Sequence, residues 1–128
     1  MKILVTGAAG FIGFHLCVRF LQNKNIKIYG LDNINSYYNV KLKKNRIKIL
    51  KKKNKNFFFK KVDITEHIKL KNIFKKNKFD LVFHLAAQAG VRYSFENPKT
   101  YILNNINGFY NVISLAKDYS VRHFIFAS

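Results

Sequence analysis

Two periods alternate along the chain. Short apolar runs that stop at a glycine or an aspartate are each followed by a dozen or so residues whose apolar positions recur three or four apart. Residues 2–6, Lys-Ile-Leu-Val-Thr, form the first such run and stop at Gly7. A continuous apolar run of that length reads as a buried strand. Residues 11–24 follow, with Ile12, Leu16 and Phe20 at helical spacing. The alternation then repeats, with a strand over 26–31 ending at Asp32, a polar, tyrosine-containing loop over 33–39, and a basic helix over 40–53. Leu42, Ile47, Ile49 and Leu50 are the apolar contribution of that helix. A third strand over 57–62 ends at Asp63, and Thr65 is placed to cap a helix over 65–77. A strand over 79–85, a long loop over 86–98, a long helix over 99–119 and a strand over 122–127 complete the pattern. Strands alternating with helices of this length imply right-handed βαβ units and a parallel sheet.

The length, 128 residues, suits one domain with a real core. Hydrophobic residues make up 48% of the chain, which excludes a disordered polypeptide. No apolar run approaches the roughly 18 residues that span a bilayer, and the first residues lack the long apolar core of a signal peptide. The single cysteine, Cys17, excludes an internal disulfide and is expected to be a small buried hydrophobe. The expected compartment is the reducing cytoplasm.

Charge complicates this picture. Lys and Arg number 24 against 6 Asp and Glu, a formal net charge of +18. A polyanion partner is one reading of that excess. The basic residues are mostly lysine, however, and lie among Asn, Ile and Phe throughout the chain, whereas bidentate base reading favours arginine. Solvated lysine-rich faces are the simpler reading, so no specific nucleic-acid partner and no membrane partner is expected. The basic helix over 40–53 has too narrow an apolar face for a membrane surface.

The chemistry concentrates where the first strand meets the first helix. Gly7-Ala8-Ala9-Gly10-Phe11-Ile12-Gly13 is a G-x-x-G-x-x-G loop. The first glycine permits a tight exit from the strand, the second lets backbone approach a pyrophosphate, and the third lets the helix pack close to the sheet. The amides of Phe11 and Ile12 at the helix start would face the phosphates. Asp32 ends the second strand about 20 residues on, where a carboxylate accepts hydrogen bonds from a ribose. It favours NAD over NADP, with Lys41 and Lys43 the nearby features that favour the phosphorylated form. Asp63 ends the third strand beside the expected adenine position. These features predict an α/β, Rossmann-like doubly wound parallel sheet. It is expected to be cut short after the fifth strand, because Ser128 follows that strand directly.

Several stretches resemble the extended short-chain dehydrogenase/reductase family of NAD-dependent epimerases and dehydratases. Gly30-Leu31-Asp32-Asn33-Ile34-Asn35-Ser36-Tyr37-Tyr38 and His84-Leu85-Ala86-Ala87-Gln88-Ala89-Gly90-Val91-Arg92-Tyr93-Ser94 are similar to its UDP-glucuronate 4-epimerase branch. Asn104-Asn105-Ile106-Asn107-Gly108 and the strand before Ser128 are similar to further motifs of the family. The resemblance implies an NAD cofactor and a UDP-sugar substrate that is transiently oxidised and re-reduced at C4. It implies that Gly7, Gly10, Phe11, Ile12 and Gly13 hold the pyrophosphate, and that Asp32 and Asn33 hold the adenosine side. It places Asp63 and Ile64 beside adenine, Leu85, Ala86 and Ala87 along the nicotinamide side, and Asn104 toward the cleft. Arg92, Tyr93 and Ser94 fall toward the substrate mouth. A UDP-galactose epimerase, a nucleotide-sugar dehydratase of the same family, and a noncatalytic NAD-binding remnant are the alternatives.

The family's Tyr-x-x-x-Lys catalytic pair lies beyond the fifth strand. The expectation is an N-terminal fragment that contains no such pair, no catalytic residue and no C-terminal substrate domain, and that is inactive, weakly NAD-binding and poorly soluble by itself. A homodimer through the helix over 99–119 is a further implication of the resemblance. Among the histidines, His15 is expected to pack or face solvent, and His84 to be a core histidine bonded to backbone. His67 and His123 have no second ligand at metal spacing, so no metal site is expected.

Overall fold

The computed structural model describes residues 1–128. Five strands form one parallel sheet in the order β3-β2-β1-β4-β5. These are β1 (Lys2–Thr6), β2 (Lys27–Asp32), β3 (Phe57–Lys61), β4 (Leu81–His84) and β5 (His123–Phe126). The connecting helices are α1 (Phe11–Phe20), α2 (Val40–Lys53), α3 (His67–Asn77), α4 (Val91–Glu96), α5 (Pro98–Tyr101) and α6 (Phe109–Asp118). A π-helical segment, Ile102–Gly108, joins α5 to α6.

The central strand explains the sheet. Ile3, Leu4 and Val5 of β1 are fully buried, as expected for a parallel strand covered on both faces. Ile3 and Val5 face one way and pack with Ile28, Cys17, Ile47 and Leu50, beneath α1 and α2. Leu4 faces the other way and packs with Val82, Leu70, Phe74 and Leu115, beneath α3 and α6. From β1 the chain builds outward through β2 to β3, then returns to place β4 on the opposite side of β1. The reversal opens a crevice at the carboxyl ends of β1 and β4, which is where ligands bind in open α/β sheets.

Several expected boundaries move. The first helix ends at Phe20, and Ile12 lies 61% exposed instead of facing the core. The inward face carries Gly13 and Cys17, because a glycine there brings the helix closest to the sheet. The helix expected over 40–53 is found there, but its buried residues are Lys43, Ile47 and Leu50, while Leu42 and Ile49 are exposed. Thr65 does not cap α3. Its amide and hydroxyl both donate to Asp63 Oδ1 at 2.9 and 2.7 Å, which holds it in a turn, and the helix starts at His67. The loop expected over 86–98 contains α4, and the long helix is interrupted by its π segment. Ile102, Ile106 and Tyr110 stay exposed along it. No helix is long and apolar enough to cross a membrane.

Candidate functional site

The glycine loop is shaped by close contacts. Gly7 has φ +71°, and a Cβ there would lie 2.9 Å from the Ala86 nitrogen. The Gly10 amide donates to the Gly7 carbonyl at 2.9 Å. A Cβ on Gly13 would collide with that same carbonyl oxygen. The start of α1 is therefore drawn down onto the end of β1. The first amides of a helix have no acceptor within it, and Gly10 supplies no side-chain cap. The Phe11 and Ile12 end of α1 thus presents donors and a positive dipole end to a cleft of about 590 Å³. A pyrophosphate fits this cradle of glycine backbone and helix amides.

Asp32 ties the loop to β2. Its Oδ2 accepts from the Ala9 amide at 3.1 Å and its Oδ1 from the Ile34 amide at 2.8 Å. Lys43 lies buried beside it, with Nζ 3.9 Å from Asp32 Oδ1 and donating to Asn35 Oδ1 at 2.8 Å. Arg46 donates to the Ala9 carbonyl at 3.1 Å and lies over the Phe11 ring. Both basic residues line the cleft, whereas Lys41 is exposed and does not.

Beyond Asp32, Asn33 also lines the cleft and donates to Asp63 Oδ2 at 2.7 Å. Burial pushes the Asp63 pKa up, but hydrogen bonds from Asn33 and Thr65 outweigh it and hold the carboxyl below its ordinary range. Asp63 is outside the cleft lining and opens onto a neighbouring hollow with Lys61, Glu66 and Lys69. Its neighbours Val62 and Ile64 face the cleft instead.

The opposite wall is Leu85, Ala86 and Ala87, with Asn104 above it. The amides of Leu85 and Ala86 both donate to Thr6 Oγ1 at 3.2 Å. The Leu85 amide is shared with the Thr6 carbonyl, also at 3.2 Å, and the Thr6 hydroxyl lies 2.9 Å from His84 Nδ1. Burial pushes the His84 pKa down to about 4, so the ring is neutral at pH 7. It is a core histidine as expected, but its partner is a side-chain hydroxyl and not the backbone.

Of the residues expected at the site, the structure gathers Gly7, Gly10, Phe11, Ile12, Gly13, Asp32, Asn33, Ile64, Leu85, Ala86, Ala87 and Asn104 around this one cleft. Arg92, Tyr93 and Ser94 lie on α4 and do not line it. Ser94 Oγ donates back to the Val91 carbonyl at 2.6 Å, and Arg92 is exposed. Sequence reasoning missed Tyr37, Tyr38, Arg46 and Gln88 as lining residues. Tyr37 stands against Gly90, whose φ is +99°, and its ring meets that of Tyr93 at 4.9 Å. Such cross-loop contacts leave no periodic signal.

A Tyr-x-x-x-Lys spacing does occur once, at Tyr37-Tyr38-Asn39-Val40-Lys41, against the expectation that the chain holds none. It lies before the third strand, and Lys41 begins α2 as an exposed side chain. It is therefore not the pair that the resemblance places beyond the fifth strand.

A glycine cradle at a helix start, a carboxylate at the end of β2 and a crevice at the sheet's switch point are the features of a dinucleotide-binding α/β protein. More narrowly, residues 4–128 match the family model described as GDP-mannose 4,6 dehydratase, and the chain belongs to that family of extended short-chain dehydrogenases/reductases. It is 46% identical over 125 residues to a UDP-glucuronate 4-epimerase of Thermodesulfobacterium geofontis, covering 98% of this chain and 38% of that protein. A solved UDP-glucuronic acid 4-epimerase from Bacillus cereus, in complex with UDP-glucuronic acid and NAD, superposes with a TM-score of 0.89. Identity to it is 37%, with 98% of this chain and 39% of that one covered. The UDP-Glc/GlcNAc 4-epimerase of Campylobacter jejuni superposes with a TM-score of 0.88 at 34% identity, over 99% of this chain and 36% of that one. The chain thus spans less than two-fifths of the length of these relatives.

Proposed function

We propose that residues 1–128 form the NAD-binding domain of a nucleotide-sugar 4-epimerase acting on UDP-glucuronate. The carrying observation is the glycine cradle with Asp32 across a single cleft, in a chain 46% identical to a UDP-glucuronate 4-epimerase. When bound, NAD supplies transient oxidation and re-reduction of the sugar. The residues of this chain bind and orient it. The α1 amides and Gly10 hold the pyrophosphate, Asp32 and Asn33 face the adenosine ribose, and Val62 and Ile64 border adenine. Leu85, Ala86, Ala87 and Asn104 face the other half. Asp63 acts on this site through Asn33, and Arg92, Tyr93 and Ser94 lie toward the substrate. The 128-residue chain by itself does not turn substrate over, and the exposed face at Ile102, Ile106 and Tyr110 pairs two copies. A cytoplasmic location is part of the same reading.

Calorimetric titration of the chain with NAD tests the cofactor reading. Ile12→Glu changes a residue that is 61% exposed and places a carboxylate beside the pyrophosphate. The expected result is a loss of affinity of about tenfold or more, a like-charge effect in a half-enclosed site, with an unchanged circular dichroism spectrum. Unchanged affinity would overturn the assignment of this cradle. The sugar is tested on a form of the protein that carries the substrate half. UDP-glucuronate is expected to give its C4 epimer, and a preference for UDP-glucose would favour the UDP-galactose epimerase alternative, supported by the Campylobacter jejuni neighbour.

A further inference from the structure

The aromatic side chains at the mouth of the cleft have no role in the reading above. The loop after β2 carries Tyr37, and the segment after β4 carries Gly90, Tyr93 and Tyr101. β2 and β4 stand on opposite sides of β1 in the sheet. Their loops nevertheless meet. The Tyr37 ring packs on the Tyr93 ring, with centroids 4.9 Å apart and planes 39° from parallel. Gly90 permits the approach, because a Cβ there would run into the Tyr37 hydroxyl. Tyr37 lines the cleft and Tyr93 does not, so the contact sits at the rim, above the glycine cradle.

Each tyrosine is tethered to its own wall. On the β2 side, Lys43 Nζ donates to Asn35 Oδ1 at 2.8 Å, and Asn39 Oδ1 accepts from the Leu42 amide at 3.1 Å. These bonds fix both ends of the short turn that bears Tyr37. On the β4 side, the Tyr101 hydroxyl donates to the Ala89 carbonyl at 3.0 Å, and Asn97 Nδ2 donates to the Tyr93 hydroxyl at 3.2 Å. Between the walls there is ring packing and no hydrogen bond. A contact of that kind holds a loop in place and still parts at small cost.

A dinucleotide whose pyrophosphate sits over β1 places its adenosine toward β2 and its other half toward β4. The tyrosine contact runs between the same two sides. We infer that Tyr37 and Tyr93 form a strap that closes the crevice over the middle of the bound dinucleotide, and that the opening of this strap sets how fast the cofactor enters and leaves. In a reaction that returns its hydride to the sugar, the cofactor ends in its starting form. Turnover then needs no cofactor exchange, and a strap slows exchange without slowing the reaction. The inference rests on the NAD reading above.

The test uses NADH as a fluorescent probe in stopped flow, on the 128-residue chain and its Tyr37→Ala variant. Mixing measures association, and displacement of bound NADH by excess NAD measures release. Loss of the strap speeds entry and exit together. The expected result is both rates faster by about threefold or more, as for the loss of one aromatic pair, with Kd within about twofold of wild type. Tyr37→Phe keeps the ring on Tyr93 and should hold both rates within about twofold of wild type. If Tyr37→Ala does not fold, Tyr93→Ala removes the contact from the other wall and is read in the same way. Faster release with unchanged association would show that Tyr37 holds the cofactor by direct contact, and would overturn the inference. Any other departure from a joint rise would overturn it too, as would a Tyr37→Phe variant as fast as Tyr37→Ala. Those outcomes leave the NAD reading standing, whereas wild-type chain that binds no NADH would overturn that reading and this inference with it.

Discussion

His84 shows how burial sets a residue's chemistry. The ring is buried at the end of β4, with Nδ1 hydrogen-bonded to the Thr6 hydroxyl at 2.9 Å. Protonating the ring would place a charge out of water. The folded pKa of about 4 lies below the ordinary 6.5. The unfolded chain therefore binds a proton between those values that the folded chain does not. Stability is full above about pH 6.5 and falls as the pH drops toward 4, by roughly 3 kcal/mol in all. Asp80, bonded by the Lys2 amide and Arg122, is also held below its ordinary 3.8, so its contribution is lost at lower pH. Urea unfolding of wild type and His84→Asn at pH 7 and near pH 4.5 checks this. The stability gap between the two pH values should shrink in the variant, and equal gaps would sink the idea. The pairing of strand ends that creates this contact was not legible in sequence, where His84 and Thr6 lie 78 residues apart.

At the scale of elements, helices were most legible where their sequence was self-sufficient. α2 runs from Val40 to Lys53 as expected, with Asn39 Oδ1 accepting from the Leu42 amide at its start. α3 begins two residues later than expected, at His67, with Thr65 held in the preceding turn by its two bonds to Asp63. Its other end carries Lys78 in the left-handed region, φ 47°. A side chain costs free energy in that conformation that glycine does not. Lys78→Gly should therefore raise stability by about 0.5–1 kcal/mol, read as a higher denaturant midpoint. An unchanged or lower midpoint would show that the lysine contributes something else there. The π segment was illegible, since a change of hydrogen-bond step from four residues to five leaves the residue pattern of a long helix almost intact.

For the whole molecule, charge is the dominant feature. Against a net charge of +18 the fold forms three ion pairs, and two of them are exposed. Exposed pairs offset little, so the lysines repel one another across the surface. Raising ionic strength from about 0.01 M to about 0.15 M shortens the screening length from roughly 30 Å to 8 Å. The melting temperature should rise over that range, and a flat or falling trend would show that the lysine faces do not oppose folding. The same field draws anions such as a dinucleotide toward the cleft, where Lys43 and Arg46 stand.

Local pattern alone determined the βαβ alternation, the parallel sheet and the glycine loop with Asp32. Each of these depends on residues near in sequence: apolar period, turn chemistry and a glycine triplet. The tertiary structure decided which face of α1 is buried, that Lys43 turns inward to Asp32, and that Asp63 serves Asn33 outside the cleft. It also brought Gln88 onto Asn105 and Tyr37 onto Gly90. Those contacts join loops from different βαβ units. They arise only when the sheet sets β2 and β4 on either side of β1, and no spacing along the chain encodes the distance between loop residues once that has happened.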